Sequence, residues 1–337
     1  MANPDKKPLV LVTGATGALG PRVVQALCDA GYPVRTLSID QPVQGLFAEH
    51  VDVRQGDITD PQTVAHAVQG CKGIIHMAAL LHMFNPPSDM RERYEKINVG
   101  GTAVVADAAS RSDVRRLVFF STIAVYGPSG GEVLTEDSTP RPDTFYAETK
   151  LAAERIVLEA KNAEGKSIGC VLRFGAVYGA RVKGNYRNLL KALSKGYFVP
   201  IGTGANRRTL IYDKDAARAA VLALEHPAAV GNVFNVSDGS CHTLSEIIEA
   251  MCLALGRNLP RLSMPVTPLR LVAGTIEDVM HFAGLHSPIT RALIDKYTED
   301  MAVDCRRFRR QLGFLPSYDL LAGWKDAICE TGGTVEY

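Results

Sequence analysis

At 337 residues, 46% hydrophobic and 22% charged, the chain has the make-up of a globular protein with room for two lobes around a continuous core. A net charge of +1 and no block of like charge give no electrostatic basis for nucleic acid or a membrane as partner. The seven scattered cysteines form no CxxC pair, no His/Cys/acid group has metal-ligand spacing, and neither a signal core nor a membrane-length apolar run is present; reduced thiols, no metal and a cytoplasmic setting are expected.

Pro8 to Thr13 is a short apolar run of the kind buried on both faces of a parallel sheet. It breaks into Gly14, Ala15, Thr16, Gly17, Ala18, Leu19, Gly20, and a helical pattern at Val23, Val24, Ala26 and Leu27 follows. A glycine turn between strand and helix lets the backbone approach a pyrophosphate, which the helix N-terminal amides stabilise. Pro33 to Ile39 is the second strand, and cofactor choice is written at its end. Ser38 stands where an acid is often found, Asp40 follows, and no Lys or Arg occurs between Arg35 and Arg54. The missing cation favours NAD over NADP, unless Arg35 or Arg22 reaches into the pocket.

Val51 to Gly56 is a third strand, leading to Asp57 and Ile58; Asp57 either accepts from an adenine amino group or is a turn residue before the helix opened by Pro61. Gly73 to His76 is the fourth strand, followed by Ala78 and Ala79, small enough to let a cofactor lie against the backbone. His76 reads as packed rather than catalytic. Leu80 to Asp89 reads as a loop over substrate, Met90 to Ala109 as a helix whose Asn98 bonds the backbone of the next strand, and Arg116 to Ser121 as the fifth strand.

The helix opened by Phe145 carries Tyr146 and Lys150, four residues apart and therefore on one face. A free phenol titrates near ~10, and a neighbouring ammonium favours the phenolate, giving a group able to move a proton at a carbinol or carbonyl.

With Thr13, Gly14, Gly17, Gly20, Asp57, His76, Ala78, Ala79, Asn98, Gly101, Thr102, Thr122, Val125, Tyr126, Gly127, Tyr146 and Lys150 in order, the chain resembles an extended short-chain dehydrogenase/reductase of the NAD-dependent epimerase/dehydratase group. The resemblance implies an α/β fold: a Rossmann-type doubly wound parallel sheet over 1–178, and a smaller C-terminal α/β substrate lobe over 179–337, with about 210–240 returning to the first domain. It implies Tyr146 as acid/base, Lys150 on the nicotinamide ribose and lowering the tyrosine pKa, and Thr122, rather than Ser121, on the reacting oxygen. NAD would meet Gly14, Thr16, Gly17, Ala18, Leu19, Asp40, Asp57, Ile58, Ala78, Ala79, Asn98, Tyr146, Lys150 and Phe174. A homodimer through the helices of Met90 to Ala109 and Tyr146 to Glu164 is also implied.

Ile168 to Phe174 is the sixth strand, and Arg173 to Gly179 resembles the family's exit into the substrate lobe. In nucleotide-sugar members an Asn opens a helix near the diphosphate, an extended piece flanks the uracil and an Arg pairs with phosphate. Here those would be Asn185, Val199 to Ile201, and Arg208, with Leu81, Thr122 and Ile123 completing the substrate contacts. Helices are expected at Tyr186 to Lys195, Asp213 to Glu225, Leu244 to Leu255 and Leu320 to Cys329, and a strand at Asn232 to Val236; Pro260 to Tyr297 is less patterned.

By resemblance, a 4,6-dehydratase would place Asp and Glu after Thr122, and a decarboxylase a Glu at Ala124; Ile123 and Ala124 argue against both. The readings left are a UDP-hexose-type 4-epimerase of surface-polysaccharide synthesis, which is favoured, and a 4-ketoreductase. The proline-rich apolar section adds a third, a 3β-hydroxysteroid or dihydroflavonol type enzyme.

Overall fold

The computed structural model describes residues 7–81, 90–282, 285, 287 and 290–332. In chain order the elements are β1 (Val10–Thr13), α1 (Gly20–Asp29), β2 (Val34–Ser38), β3 (Asp52–Gln55), α2 (Pro61–Val68), β4 (Gly73–His76), α3 (Met90–Tyr94), α4 (Gly101–Ser110), β5 (Arg116–Thr122), α5 (Phe145–Glu159) and β6 (Gly169–Phe174). They continue as β7 (Ala176–Tyr178), α6 (Asn185–Lys195), β8 (Arg207–Tyr212), α7 (Asp213–Glu225), β9 (Val233–Val236), β10 (Cys241–Thr243), α8 (Leu244–Leu255), α9 (Val266–Phe282), α10 (Arg291–Thr298), α11 (Arg306–Leu312) and α12 (Leu320–Glu330).

Seven strands form one parallel sheet in the order β3-β2-β1-β4-β5-β6-β9. Helices cover both faces, as the continuous apolar runs of β1, β4 and β6 require. One face packs on α1, α7 and α11, with Val23, Leu27, Ala220 and Phe308 in the core; the other packs on α2, α4 and α5, with Val64, Val105, Ala153 and Val157. The order in which strands are added to the sheet reverses between β1 and β4, opening a crevice at the carboxyl ends of the strands.

A second sheet, β10-β8-β7, builds the smaller lobe with α6, α8 and α12, around Tyr178, Tyr212, Leu244, Met251 and Trp324. β7 belongs to this sheet although the sequence reading ends the first domain after it. α7 and β9 rejoin the large sheet's layers.

Two segments differ from expectation. Met90 to Ala109 is not one regular helix: α3 and α4 are joined by a π-helical stretch, Glu95–Gly100, that contains Asn98. The section from Pro260 onward holds α9 and α10; Pro265 and Pro268 sit at the start of α9, where a missing N–H is tolerated. Of the expected loop at Leu80 to Asp89, residues 82–89 lie outside the described residues.

Candidate active site

The crevice at β1 and β4 is shaped by glycine. Gly14 has φ 71°, and a Cβ there would lie 2.7 Å from the Ala78 Cα, so only glycine lets the β1 turn touch the segment after β4. A Cβ on Gly20 would lie 2.0 Å from the Ala15 carbonyl oxygen. The turn closes through Gly17 N to Gly14 O (3.0 Å) and Gly20 N to Gly17 O (3.2 Å). α1 then begins with no side-chain cap at Leu19 and no acid in its first turn, so nothing negative competes with an anion at this helix end.

Ser38, buried at the end of β2, accepts from Thr16 N at 3.2 Å and so braces the turn. The two cations that would have argued for NADP are engaged elsewhere. Arg35 donates to Asp52 (2.6 Å) and to the carbonyls of Ala67 (2.8 Å) and Gln69 (2.7 Å), while Arg22 holds Asp213 and Glu330. Asp40 is exposed just beyond β2. Asp57 closes a turn by accepting from Thr59 N at 2.8 Å, and Ile58 is buried against Gly101. His76 Nδ1 lies 2.6 Å from Thr13 Oγ1 and its Nε2 3.0 Å from Thr102 Oγ1; burial, with the Lys150 charge, pushes its pKa down to about 3, so it is a neutral structural residue.

Thr144 caps α5 by accepting from Ala147 N at 3.2 Å, and Tyr146, Lys150 and Glu154 follow at successive turns of one face. The Tyr94 ring meets Tyr146 edge-on at 6.4 Å, its hydroxyl donating to Leu81 O at 2.8 Å. Lys150 Nζ sits 4.0 Å from the centre of the Phe119 ring on β5. At the end of that strand Thr122 Oγ1 accepts from Ala124 N (3.2 Å) and opens the short 3₁₀ turn Ile123–Tyr126.

The electrostatics correct one expectation. The Tyr146 phenol is pushed up to about 12, by burial first and by Tyr94 second, instead of being lowered. Burial likewise pulls Lys150 down to about 7, with Glu154 opposing. Desolvation penalises each charged form, and here it outweighs the attraction that the i, i+4 spacing promises.

Asn98 ties the site together. Its Oδ1 accepts from Leu80 N (2.7 Å), and its Nδ2 donates to Leu80 O (3.1 Å) and to Thr149 Oγ1 (3.1 Å), which itself donates to Tyr146 O (2.9 Å). Its partner is thus the segment after β4, not the next strand.

On the substrate side, Asn185 is the first residue of α6, after Gly184 with φ 133° and no side-chain cap. Beside it lies a cleft reaching to Trp324. Val199 is exposed, and Ile201 pairs with Met264 in an isolated parallel bridge. Arg207 is consumed by Asp300 (2.7 Å) and the Gly131 carbonyl (2.6 Å). Arg208 donates only to the carbonyls of Lys296 (2.7 Å) and Tyr297 (3.1 Å), with no carboxylate among the described residues. Leu81 is exposed.

Residues 10–237, well over half of the chain, match the model of the NAD dependent epimerase/dehydratase family. The chain belongs to that family. It is 30% identical to a 3 beta-hydroxysteroid dehydrogenase/Delta 5→4-isomerase of Mycobacterium tuberculosis, over 92% of this chain and 86% of the relative. It is 27% identical to a UDP-glucose 4-epimerase of Vibrio cholerae, over 94% and 93%. Among solved structures it resembles MoeE5 in complex with UDP-glucose and NAD, with TM-score 0.75, 25% identity, and 97% and 99% coverage. The protein is therefore an enzyme of the NAD-dependent extended short-chain dehydrogenase/reductase type, with NAD as cofactor.

Within this epimerase/dehydratase fold, two expected contacts are not offered by side chains. Ile123 is 5% exposed and packs with Val125, Met301 and Val303; Phe174 is buried with its ring 4.5 Å from that of Phe120. Both sit where the backbone turns at the end of the sheet, so apolar packing takes their side chains inward. The sequence reading also missed three supporting residues: Tyr94, Thr149 and Glu154. Glu154 is buried and bonded by Arg173 through Nε (3.0 and 3.1 Å) and Nη2 (2.6 Å), and by the Ser121 hydroxyl. The only signal for it was its spacing, four residues beyond Lys150. Ser121 is thus turned into this ion pair.

Proposed function

We propose that the enzyme is a nucleotide-sugar 4-epimerase acting on a UDP-hexose. The observation that carries this reading is Arg208: a half-buried guanidinium that donates to neutral carbonyls, leaving its charge to an anion such as a diphosphate. Asn185 at the open N-terminus of α6 adds amides to the same task, and Val199 to Ile201 offer an extended edge to a planar base. The UDP-glucose 4-epimerase among the relatives supports the reading.

The residues of the crevice fit NAD: the Gly14 to Gly20 turn at the N-terminal end of α1 for the pyrophosphate, Ala78 and Ala79 for close approach, and Lys150 for the ribose hydroxyls. When bound, NAD supplies a hydride acceptor that also returns the hydride. Tyr146 takes the proton of the C4 hydroxyl as the carbinol becomes a ketone, and gives it back when the ketone is reduced on its other face. Thr122 hydrogen-bonds the reacting oxygen and fixes its distance from the phenol. Asn98, through Thr149, holds the first turn of α5 and so the position of Tyr146.

The test is incubation of purified enzyme with UDP-glucose and, separately, UDP-galactose, without added cofactor. Conversion toward one equilibrium mixture from both sides supports the reading; no conversion of either, or of their N-acetyl counterparts, overturns it. A second reading, oxidation of a steroid-like secondary alcohol with release of NADH, is favoured by the 3 beta-hydroxysteroid dehydrogenase relative. Stoichiometric NADH formation on an apolar alcohol would select it.

A further inference from the structure

α9 presents an inverted surface. Its ion pairs lie toward α10, where Arg270 meets Asp295 (2.7 and 3.0 Å) and Asp278 meets Arg291 (3.0 and 2.6 Å). Leu271, Val272, Ile276, Val279 and Phe282 form a stripe along its other side and are 69%, 56%, 40%, 63% and 96% exposed. An apolar stripe of this length on the side of a helix turned away from its neighbour marks a surface meant to be covered.

Charge says what covers it. The net +1 conceals an uneven distribution: from Gly179 to Tyr212 there are seven Lys or Arg and no Asp or Glu, and from Ala250 to Ile276 there are again basic residues and no acid. The two stretches are adjoined, since Met264 N donates to Pro200 O (2.8 Å) and Gly202 N to Met264 O (2.8 Å). Lys195, Arg257 and Arg261 are exposed there with no ion pair among the described residues. An apolar stripe flanked by unpaired cations matches the headgroup and acyl boundary of an anionic bilayer, where acyl contact and phosphate attraction act together.

We infer that α9 lies in the plane of an anionic lipid surface, with its apolar stripe among the acyl chains and Lys195, Arg257 and Arg261 on lipid phosphates. The helix lies on the bilayer and does not span it: no described helix is long and apolar enough to cross. The surface also adjoins the substrate side, because Arg208 bonds the end of α10 and Lys296 Nζ lies 3.5 Å from Asp143, three residues before Tyr146. Lipid attachment through α9 and its flanking cations is independent of which alcohol is oxidised.

Vesicle flotation of the full-length protein tests it, with phosphatidylcholine alone and with about 30 mol% phosphatidylglycerol. Flotation with the anionic vesicles only, weakening as salt rises, is expected. The combined variant Leu271→Ser, Val279→Ser, Phe282→Ser should weaken binding more than about tenfold with NAD binding unchanged. Arg257→Glu with Arg261→Glu should do the same and carries the test if the first variant does not fold. No flotation with either vesicle overturns the inference. So does flotation indifferent to both variants, or a dimer in light scattering that the serine variant splits while no vesicle is bound.

Discussion

Lys150→Met should make the NAD-free protein more stable while abolishing turnover. The lysine is 3% exposed, and burial brings its ammonium from 10.5 to about 7 against the support of Glu154. One pKa unit corresponds to about 1.4 kcal/mol, so keeping this group in the folded chain at pH 7 costs about 4 kcal/mol relative to a side chain that never ionises. Methionine has similar length and no charge, and it gives up the attraction between the ammonium and the Phe119 ring, worth about 1–2 kcal/mol when desolvated. A net gain of about 2–3 kcal/mol is expected at pH 7. The sign with pH follows from the direction of the shift. The folded pKa lies below the unfolded one, so between about 7 and 10.5 the unfolded chain binds more protons and wild-type stability rises with pH from this group. The advantage of the variant should therefore shrink by several kcal/mol between about pH 7 and pH 10. Urea unfolding of both proteins at the two pH values measures this, and other titrating groups cancel in the difference. A variant less stable than wild type at pH 7, or a gap independent of pH, would refute the reasoning.

Tyr146→Phe should remove turnover and leave NAD affinity within a few-fold, as read by calorimetric titration; an active Phe variant removes Tyr146 from the chemistry. Arg208→Ala should raise KM for a nucleotide sugar about 10- to 150-fold, the loss of one charge-assisted interaction of about 1.5–3 kcal/mol, while NAD binding is unmoved. Glu154→Gln breaks a fully buried ion pair and should destabilise the fold by about 3–5 kcal/mol in chemical denaturation; a change below about 1 kcal/mol would mean that Arg173 is solvated without it. Asn98→Ala leaves the Leu80 N–H and C=O without their side-chain partner and removes the donor to the Thr149 hydroxyl, and should cost about 2–4 kcal/mol of stability, together with a fall in kcat larger than any change in NAD affinity.

What was legible in the sequence was whatever the chain encodes within a few residues. The strand, glycine turn and helix of the first thirty residues and the spacing of Tyr146 and Lys150 are local signals. The sheet order then follows from alternating strands and helices. Where a long side chain ends is a different matter. Whether Arg35 or Arg22 faces the ribose turns on Asp52, Asp213 and Glu330, the last of these 308 residues away in sequence from its partner. Arg207 and Arg208 are neighbours in sequence, yet Asp300 neutralises one and leaves the other to carbonyls. Average charge misled too: a chain can sum to +1 while Gly179 to Tyr212 holds seven cations and no acid.

The Tyr146 and Lys150 pair shows how far spacing alone reaches. An ammonium one turn from a phenol predicts a lowered phenol pKa only if water leaves both charges at little penalty. In the fold, burial raises the one and lowers the other, so the proton rests on the phenol and the amine is near its midpoint at neutral pH. Activation then depends on what keeps Lys150 charged inside the fold, and the residue placed to do so is Glu154, one turn further along α5. That carboxylate is held in turn by Arg173 of β6 and Ser121 of β5, through bonds spanning 19 and 33 residues. The acid/base pair is thus a local feature of one helix, whereas the field that sets its protonation is assembled by the sheet.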